Sequence, residues 1–186
     1  MIGLFGGSFD PIHNGHLIVA QSVFEQLNLA ELRFVVAREQ PLKQGHGAPA
    51  EHRARMVGVA IAGEPRFRLE TLELDRTGPS YTVDTLRTLH LREPGRELVV
   101  LLGSDAARDL DKWREAEEVA RLSRIVVFGR GGEAVAASSL ISAHIVVPAI
   151  QISATHIRKR VREGRSIRYW LPDPVAEYIA RERLYL

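Results

Sequence analysis

The sequence predicts an α/β fold, a doubly wound parallel sheet with helices on both faces and two closing C-terminal helices. Three observations carry this. Short runs such as LRFVVA (32–37), ELVVLLG (97–103) and RIVVFGR (124–130) are almost continuously apolar, as strands covered on both faces are. Longer stretches with helical apolar spacing lie between them, so strand and helix alternate. Three strands end in glycine, in GLFGGS, LLGSD and VVFGR, and a doubly wound sheet binds its ligand at the carboxyl ends of its strands.

The elements follow in order. MIGLFG (1–6) reads as a short buried strand, and 15–27 as a helix carrying Leu17, Ile18, Val23, Phe24 and Leu27 at roughly helical spacing. The strand 32–37 runs into the turn-rich loop REQPLKQGHGAP (38–49), and a helix over 50–62 sets Met56, Val59 and Ala60 on one side. RFRLETLEL (66–74) is expected as a strand and TVDTLRTLHL (82–91) as a helix. After the strand 97–103 come a helix near 114–122, the strand 124–130, an irregular loop GGEAVAASS (131–139) and the strand HIVVPA (144–149). Two helices close the chain. No repeat, low-complexity tract or linker interrupts the pattern, so one domain over 1–186 is expected.

With 45% hydrophobic and 26% charged residues, 186 residues suffice for a substantial core. The absence of cysteine excludes disulfides and thiolate metal sites. No basic leader, signal-type segment or bilayer-length apolar run is present, which leads to the expectation of a cytoplasmic protein. The net charge of +2 says little about partners, but Arg158, Lys159, Arg160, Arg162, Arg165 and Arg168 crowd one stretch. Such a run is either a solvated helix face or a surface that neutralises phosphates.

The chemistry concentrates in GGSFDPIHNGH (6–16). Gly6 and Gly7 let the backbone turn sharply and a ligand approach it, while the following helix N-terminus offers open amides and a partial positive charge. The pattern is neither a Walker loop nor a dinucleotide fingerprint. His13 and His16, three apart, can lie on one side of the first helical turn and donate to phosphate oxygens, with charge assistance if protonated. Competing readings are a satisfied cap histidine, a tight turn without ligand, and a zinc pair for which no third ligand is evident nearby.

His13-Asn14-Gly15-His16 resembles the (H/T)xGH signature of a nucleotidyltransferase superfamily, and Ile152-Ser153-Ala154-Thr155-His156-Ile157-Arg158 resembles its ISxTxIR signature. The second also makes physical sense, because Ser153 or Thr155 can cap a helix whose amides face a phosphate and Arg158 offers a planar fork. Within the superfamily the chain is similar to the nicotinate mononucleotide adenylyltransferases. Gly78-Pro79-Ser80-Tyr81-Thr82 with Thr85-Leu86 resembles the family's GPSYTxxTL segment, and Leu102-Gly103-Ser104-Asp105 with Trp113 resembles its GxD…W region. His52-Arg53-Ala54-Arg55-Met56 and Leu171-Pro172-Asp173-Pro174-Val175 with Tyr178-Ile179 also follow the family pattern. One departure stands out: Gln40-Pro41-Leu42-Lys43 occupies the place of PPHK, so Leu42 replaces a histidine expected near the substrate phosphate.

The resemblance implies a Rossmann-like fold and adenylyl transfer from ATP, with Mg²⁺, to nicotinate mononucleotide. It puts Gly7, Ser8, Phe9, His13, Gly15 and His16 around the phosphates, joined by Ser153, Thr155, Ile157 and Arg158, and Gly103 and Asp105 near the ribose. His13, His16 and Arg158 become the catalytic set. The acceptor falls to Ser8, Tyr81, Thr82 and Trp113, with Lys43 and Arg130 as further contacts. A carboxylate such as Asp105 at a strand end can accept both hydroxyls of a sugar, or simply cap a helix. Trp113 offers a flat face to a ring, or packs in the core. No protein-held metal, nucleic acid or membrane is implied, and a homo-oligomer is compatible with the chain. The alternatives are a sister enzyme, phosphopantetheine adenylyltransferase or glycerol-phosphate cytidylyltransferase, and a nucleic-acid module using the run 158–168.

Overall fold

The computed structural model describes residues 1–40, 47–129 and 138–186. Strands β1 (Ile2–Gly7), β2 (Glu31–Val36), β3 (Phe67–Glu70), β4 (Leu98–Gly103), β5 (Arg124–Gly129) and β6 (Ala143–Val146) form one sheet. Its order is β3-β2-β1-β4-β5-β6, and every neighbouring pair is parallel. The chain winds outward from β1 through β3, returns to β4 beside β1, and winds the other way. The β1–β4 boundary is therefore the point where strand order reverses and a crevice opens.

Alternation along the strands sends side chains to two cores. Phe5, Phe34, Val36, Val99, Leu101 and Val126 lie on one face. They meet α1 (Asn14–Gln26), α2 (Ala50–Ile61), α6 (Ala154–Arg162) and α7 (Asp173–Arg181) through Phe24, Met56, Ile157 and Ile179. Leu4, Val35, Val100, Leu102 and Val127 lie on the other, covered by α3 (Thr82–Arg92), α4 (Ser104–Ala107) and α5 (Ala116–Leu122) through Leu86, Ala107 and Val119. This double covering is what continuously apolar strands require.

Three elements differ from the sequence reading. β3 stops at Glu70 rather than reaching residue 74, because the Glu70 carboxylate accepts the Leu72 amide at 3.2 Å and Thr71 accepts the Leu74 amide at 2.8 Å, closing a turn. α4 and the 3₁₀ turn Leu110–Lys112 follow β4, too short for any periodicity to reveal. β6 is Ala143–Val146, with the Val147 amide adding one more bond to Gly129. Among the described residues no helix is long and apolar enough to cross a membrane.

The loops at the carboxyl ends of the strands are tied down by Arg53, which is only 1% exposed. Its guanidinium donates to the carbonyls of Ala48 at 3.2 Å, Ser8 at 2.8 Å, Ala37 at 2.7 Å and Arg38 at 3.0 Å. One side chain of α2 thereby clamps the ends of β1 and β2. Arg53→Leu leaves these buried carbonyls without donors, and urea unfolding should show a loss of about 3–5 kcal/mol. A loss below about 1 kcal/mol would mean that water replaces the guanidinium.

Candidate functional site

Two cavities open at the β1–β4 crevice, about 890 Å³ and about 290 Å³, and both are lined by Gly6, Gly7, Gln40 and Ala106. Gly7 is required here, since a Cβ on it would lie 2.9 Å from the Phe9 ring. Phe9 itself takes a left-handed φ of 48° and is 2% exposed. Its ring meets His16 edge-on at 5.2 Å. Phe9 therefore shapes the turn, backs a histidine and lines the larger cavity from a buried position.

The larger cavity gathers His13, Gly15, His16, Gly103, Asp105, Ser153, Thr155 and Arg158 around the turn. His13 precedes α1, 6% exposed, with its ring stacked on His16 at 3.7 Å. Burial lowers the His13 pKa to about 4, and its Nδ1 has no hydrogen-bond partner among the described residues. The free protein thus holds His13 neutral, whereas the sequence reading allowed a charge-assisted donor. His16 Nδ1 accepts the His13 amide at 3.2 Å, so a neutral His16 ring carries its proton on Nε2.

Both helix N-termini are narrowed to particular amides. On α1 the Asn14 amide bonds to Trp170 and that of His16 to His13, which leaves Gly15 as the amide the helix does not use. A Cβ there would lie 3.1 Å from His13 Nδ1 and 3.3 Å from Ile150. On α6 the Ser153 hydroxyl accepts the His156 amide at 3.2 Å and the Ser153 carbonyl accepts that of Ile157 at 3.1 Å. Among the described residues the amides of Ala154 and Thr155 remain without a partner. Ile157, read from the sequence among the phosphate contacts, is 0% exposed and packs α6 onto the sheet.

Arg158 is held rather than free. One Nη donates to the Asp10 carbonyl at 2.6 Å, the other to Thr155 Oγ1 at 3.3 Å, and the Asp10 carboxylate lies 3.8 Å away. Its remaining N–H groups keep a fixed direction. Asp105 lines the same cavity with its side chain 94% exposed, 3.1 Å from Arg108. Much of the basic run beyond Arg158 has partners of its own. Arg160 donates to the Ser166 carbonyl and covers Trp170, while Lys159 and Arg165 face Glu163.

The smaller cavity is lined by Tyr81, Thr82 and Trp113, above apolar side chains of the sheet. Arg114 covers the Tyr81 ring at 4.9 Å. The Tyr81 carbonyl takes the amides of Asp84 and Thr85, leaving those of Thr82 and Val83 at the positive end of α3. Ser8 stands on the wall of the larger cavity, donating to Gln40 at 2.7 Å. Leu42, Lys43 and Arg130 lie outside the described residues.

The cytidylyltransferase-like family signature matches residues 4–160. A probable nicotinate-nucleotide adenylyltransferase of Thermus thermophilus is 47% identical over 99% of this chain and 98% of its own length. Another, of Leifsonia xyli, is 41% identical over 99% of this chain and 93% of its own. The chain belongs to the nicotinate-nucleotide adenylyltransferase family. In fold it is similar to the Plasmodium falciparum nicotinic acid mononucleotide adenylyltransferase solved with NaAD, with a TM-score of 0.82, 24% identity and coverage of 99% and 96% of the two chains.

Against this family pattern, the structure adds residues that sequence reasoning left without a role. Asp10 lies inside the first motif, and Arg53 follows His52 in a segment noted only as similar. Arg53 stands three and four residues before Met56 and Val57, an arginine on an apolar helix face, which is the signal for a buried clamp.

Because the fold favours neutral His13, the unfolded chain, titrating near 6.5, binds more protons than the folded one between that value and about 4. Stability falls as pH drops through this window. In proton NMR the His13 ring of the free protein should titrate near 4, and a bound triphosphate analogue should raise that value by placing anionic oxygens beside the ring. Titration near 6.5 in the free protein would show a ring open to water.

Proposed function

We propose that residues 1–186 act as one adenylyltransferase domain that moves the adenylyl group of ATP onto nicotinate mononucleotide, giving nicotinate adenine dinucleotide and pyrophosphate in NAD biosynthesis. The observation that carries this reading is the meeting of the two cavities at Gly6 and Gly7. ATP occupies the larger and the acceptor's ring the smaller, so the acceptor phosphate reaches the α-phosphorus from the side opposite pyrophosphate. The family relationship supports the choice of reaction, and the P. falciparum protein of the same fold was solved with NaAD.

One oxygen of the acceptor phosphate attacks the α-phosphorus, a P–O bond forms, and the bond to the β-phosphate oxygen breaks. The nucleophile is already an anion, so no general base and no covalent enzyme intermediate enter. Catalysis is alignment plus stabilisation of charge on the phosphoryl oxygens and the departing pyrophosphate. His16, through Nε2–H, and His13 hold α- and β-phosphate oxygens. Arg158 and the first amides of α6 hold the β- and γ-phosphates, and Asp105 faces the ribose hydroxyls.

Mg²⁺ bound with ATP would supply further neutralisation of the triphosphate. The larger cavity offers it little carboxylate, because Asp10 already accepts from Gly47, Ala48 and Tyr185 and Asp105 is paired with Arg108. The ion would be held mainly by triphosphate oxygens and water, which suits its reluctance to dehydrate. The reaction's soluble substrates fit a cytoplasmic enzyme.

Nicotinate and nicotinamide differ by a carboxylate against an amide. The open amides of Thr82 and Val83 pair with the anion, whereas an amide NH₂ turned towards them meets donors. A pyrophosphate-release assay should give kcat/KM at least about a hundredfold higher for nicotinate mononucleotide than for nicotinamide mononucleotide. Neither phosphopantetheine nor glycerol phosphate should react. Equal values for the two mononucleotides would remove the nicotinate preference, and turnover of phosphopantetheine alone would assign the chain to a sister enzyme. His16→Ala should lower kcat by at least about a hundredfold with the fold intact, and near-normal turnover would take His16 out of the mechanism.

A further inference from the structure

The smaller cavity contains a carboxyl group that adenylyl transfer does not use. Glu73 is 8% exposed and lines the cavity beside Ser80 and Thr85, over the apolar side chains of Leu4, Val35 and Val100. Burial pushes its pKa up, and hydrogen bonds from Thr85 and Ser80 and the nearby Arg76 oppose that shift.

The proton of the Thr85 hydroxyl has a determined direction. Thr85 Oγ1 accepts from Arg76 Nη1 at 3.2 Å, so its single proton goes to Glu73 Oε1, 2.9 Å away. Ser80 Oγ accepts the Arg38 amide at 3.0 Å, which leaves its own proton for an acceptor, and Ser80 is among the groups that oppose the upward shift of Glu73. Glu73 accepts from Thr85 through Oε1, and a side-chain amide would put an N–H donor in place of one of its two acceptor oxygens. Ser80 and Thr85 bracket Tyr81 and Thr82, which line the cavity, and the open amides at the start of α3. The Ser80 amide is also bonded to Glu39 beyond β2, at 2.9 Å.

We infer that Glu73 is a positioning residue for acceptor recognition: by collecting the hydroxyl protons of Ser80 and Thr85 it holds Tyr81, Thr82 and the first turn of α3 in the wall that receives the acceptor's ring. This rests on the reading of the smaller cavity given above. Glu73 touches neither ATP nor the reacting phosphates. Its removal acts on how well the acceptor is bound and leaves the phosphate machinery intact.

Glu73→Gln keeps the size but turns an N–H donor towards one of the two hydroxyls. KM for nicotinate mononucleotide should rise at least about tenfold, with KM for ATP and kcat within about twofold of wild type. Ser80→Ala removes the second hydroxyl and should raise the same KM about threefold, while Thr85→Ser, which keeps its hydroxyl, should stay near wild type. The double variant Glu73→Gln with Ser80→Ala should be no worse than Glu73→Gln alone. If Glu73→Gln does not fold, Ser80→Ala decides, and an unchanged KM overturns the inference. Equal rises in KM for both substrates, or none for either, also overturn it. A wild-type chain that releases no pyrophosphate with nicotinate mononucleotide overturns the functional reading and this inference with it; an active wild type with unaffected variants overturns the inference alone.

Discussion

The buried carboxylate of Asp10 joins parts of the chain that lie far apart in sequence. It is 5% exposed and accepts the Gly47 amide at 2.6 Å, the Ala48 amide at 3.1 Å and the Tyr185 hydroxyl at 2.7 Å. Its own carbonyl takes Arg158. Removing a carboxylate from water costs several kcal/mol unless its oxygens are satisfied and opposite charge is near. Asp10 meets both conditions, with the Arg158 guanidinium 3.8 Å away and Arg53 attracted to it. The condition is mutual: the glycine turn, the segment before α2, the start of α6 and the C-terminus must all be in place for the charge to be tolerated. Arg53 adds four carbonyls to the same clamp.

A rigid turn explains why the site relies on directed donors rather than on a concentration of charge. Neutral His13, His16 oriented by a backbone amide, the unused amides of Gly15, Ala154 and Thr155, and an Arg158 with both Nη atoms engaged are each fixed before a ligand arrives. Groups that need no reorganisation at the moment of reaction stabilise developing charge most effectively. The acceptor phosphate brings its own negative charge, so holding the two substrates in line replaces acid–base chemistry. In the smaller cavity, Thr85 at the start of α3 is likewise held, its hydroxyl bonded to the buried Glu73.

The parts of this arrangement that were legible in the sequence are those written in local patterns. Strands covered on both faces read as apolar runs, and glycines at their ends marked the crevice. GGSFDPIHNGH and ISATHIR identified the two loops that face each other across it. Patterns failed where a side chain closed a turn or where spacing and contact disagreed. The apolar alternation of LETLEL continued past Glu70, although its carboxylate caps a turn there. Ile157 lies in a ligand-facing motif, yet the helical period turns it into the core. Asp10 finds partners 37 and 175 residues away, and Glu73 meets Thr85 across a loop. Such pairings are tertiary, and no local window displays them.

If the Asp10 clamp fixes the phosphate-facing turn as well as the fold, its loss must act on both. The most direct test is a paired measurement on Asp10→Asn, the folding free energy by urea and kcat/KM for adenylyl transfer at saturating partner substrate. A side-chain amide has one oxygen to serve the amides of Gly47 and Ala48 and the Tyr185 hydroxyl. Folding stability should fall by about 2–3 kcal/mol. In the fraction that remains folded, kcat/KM should fall at least about tenfold, because the turn and Arg158 lose their common anchor. The same loss of stability with kcat/KM unchanged would contradict the claim, and would leave Asp10 as a structural residue with no hold on the phosphates.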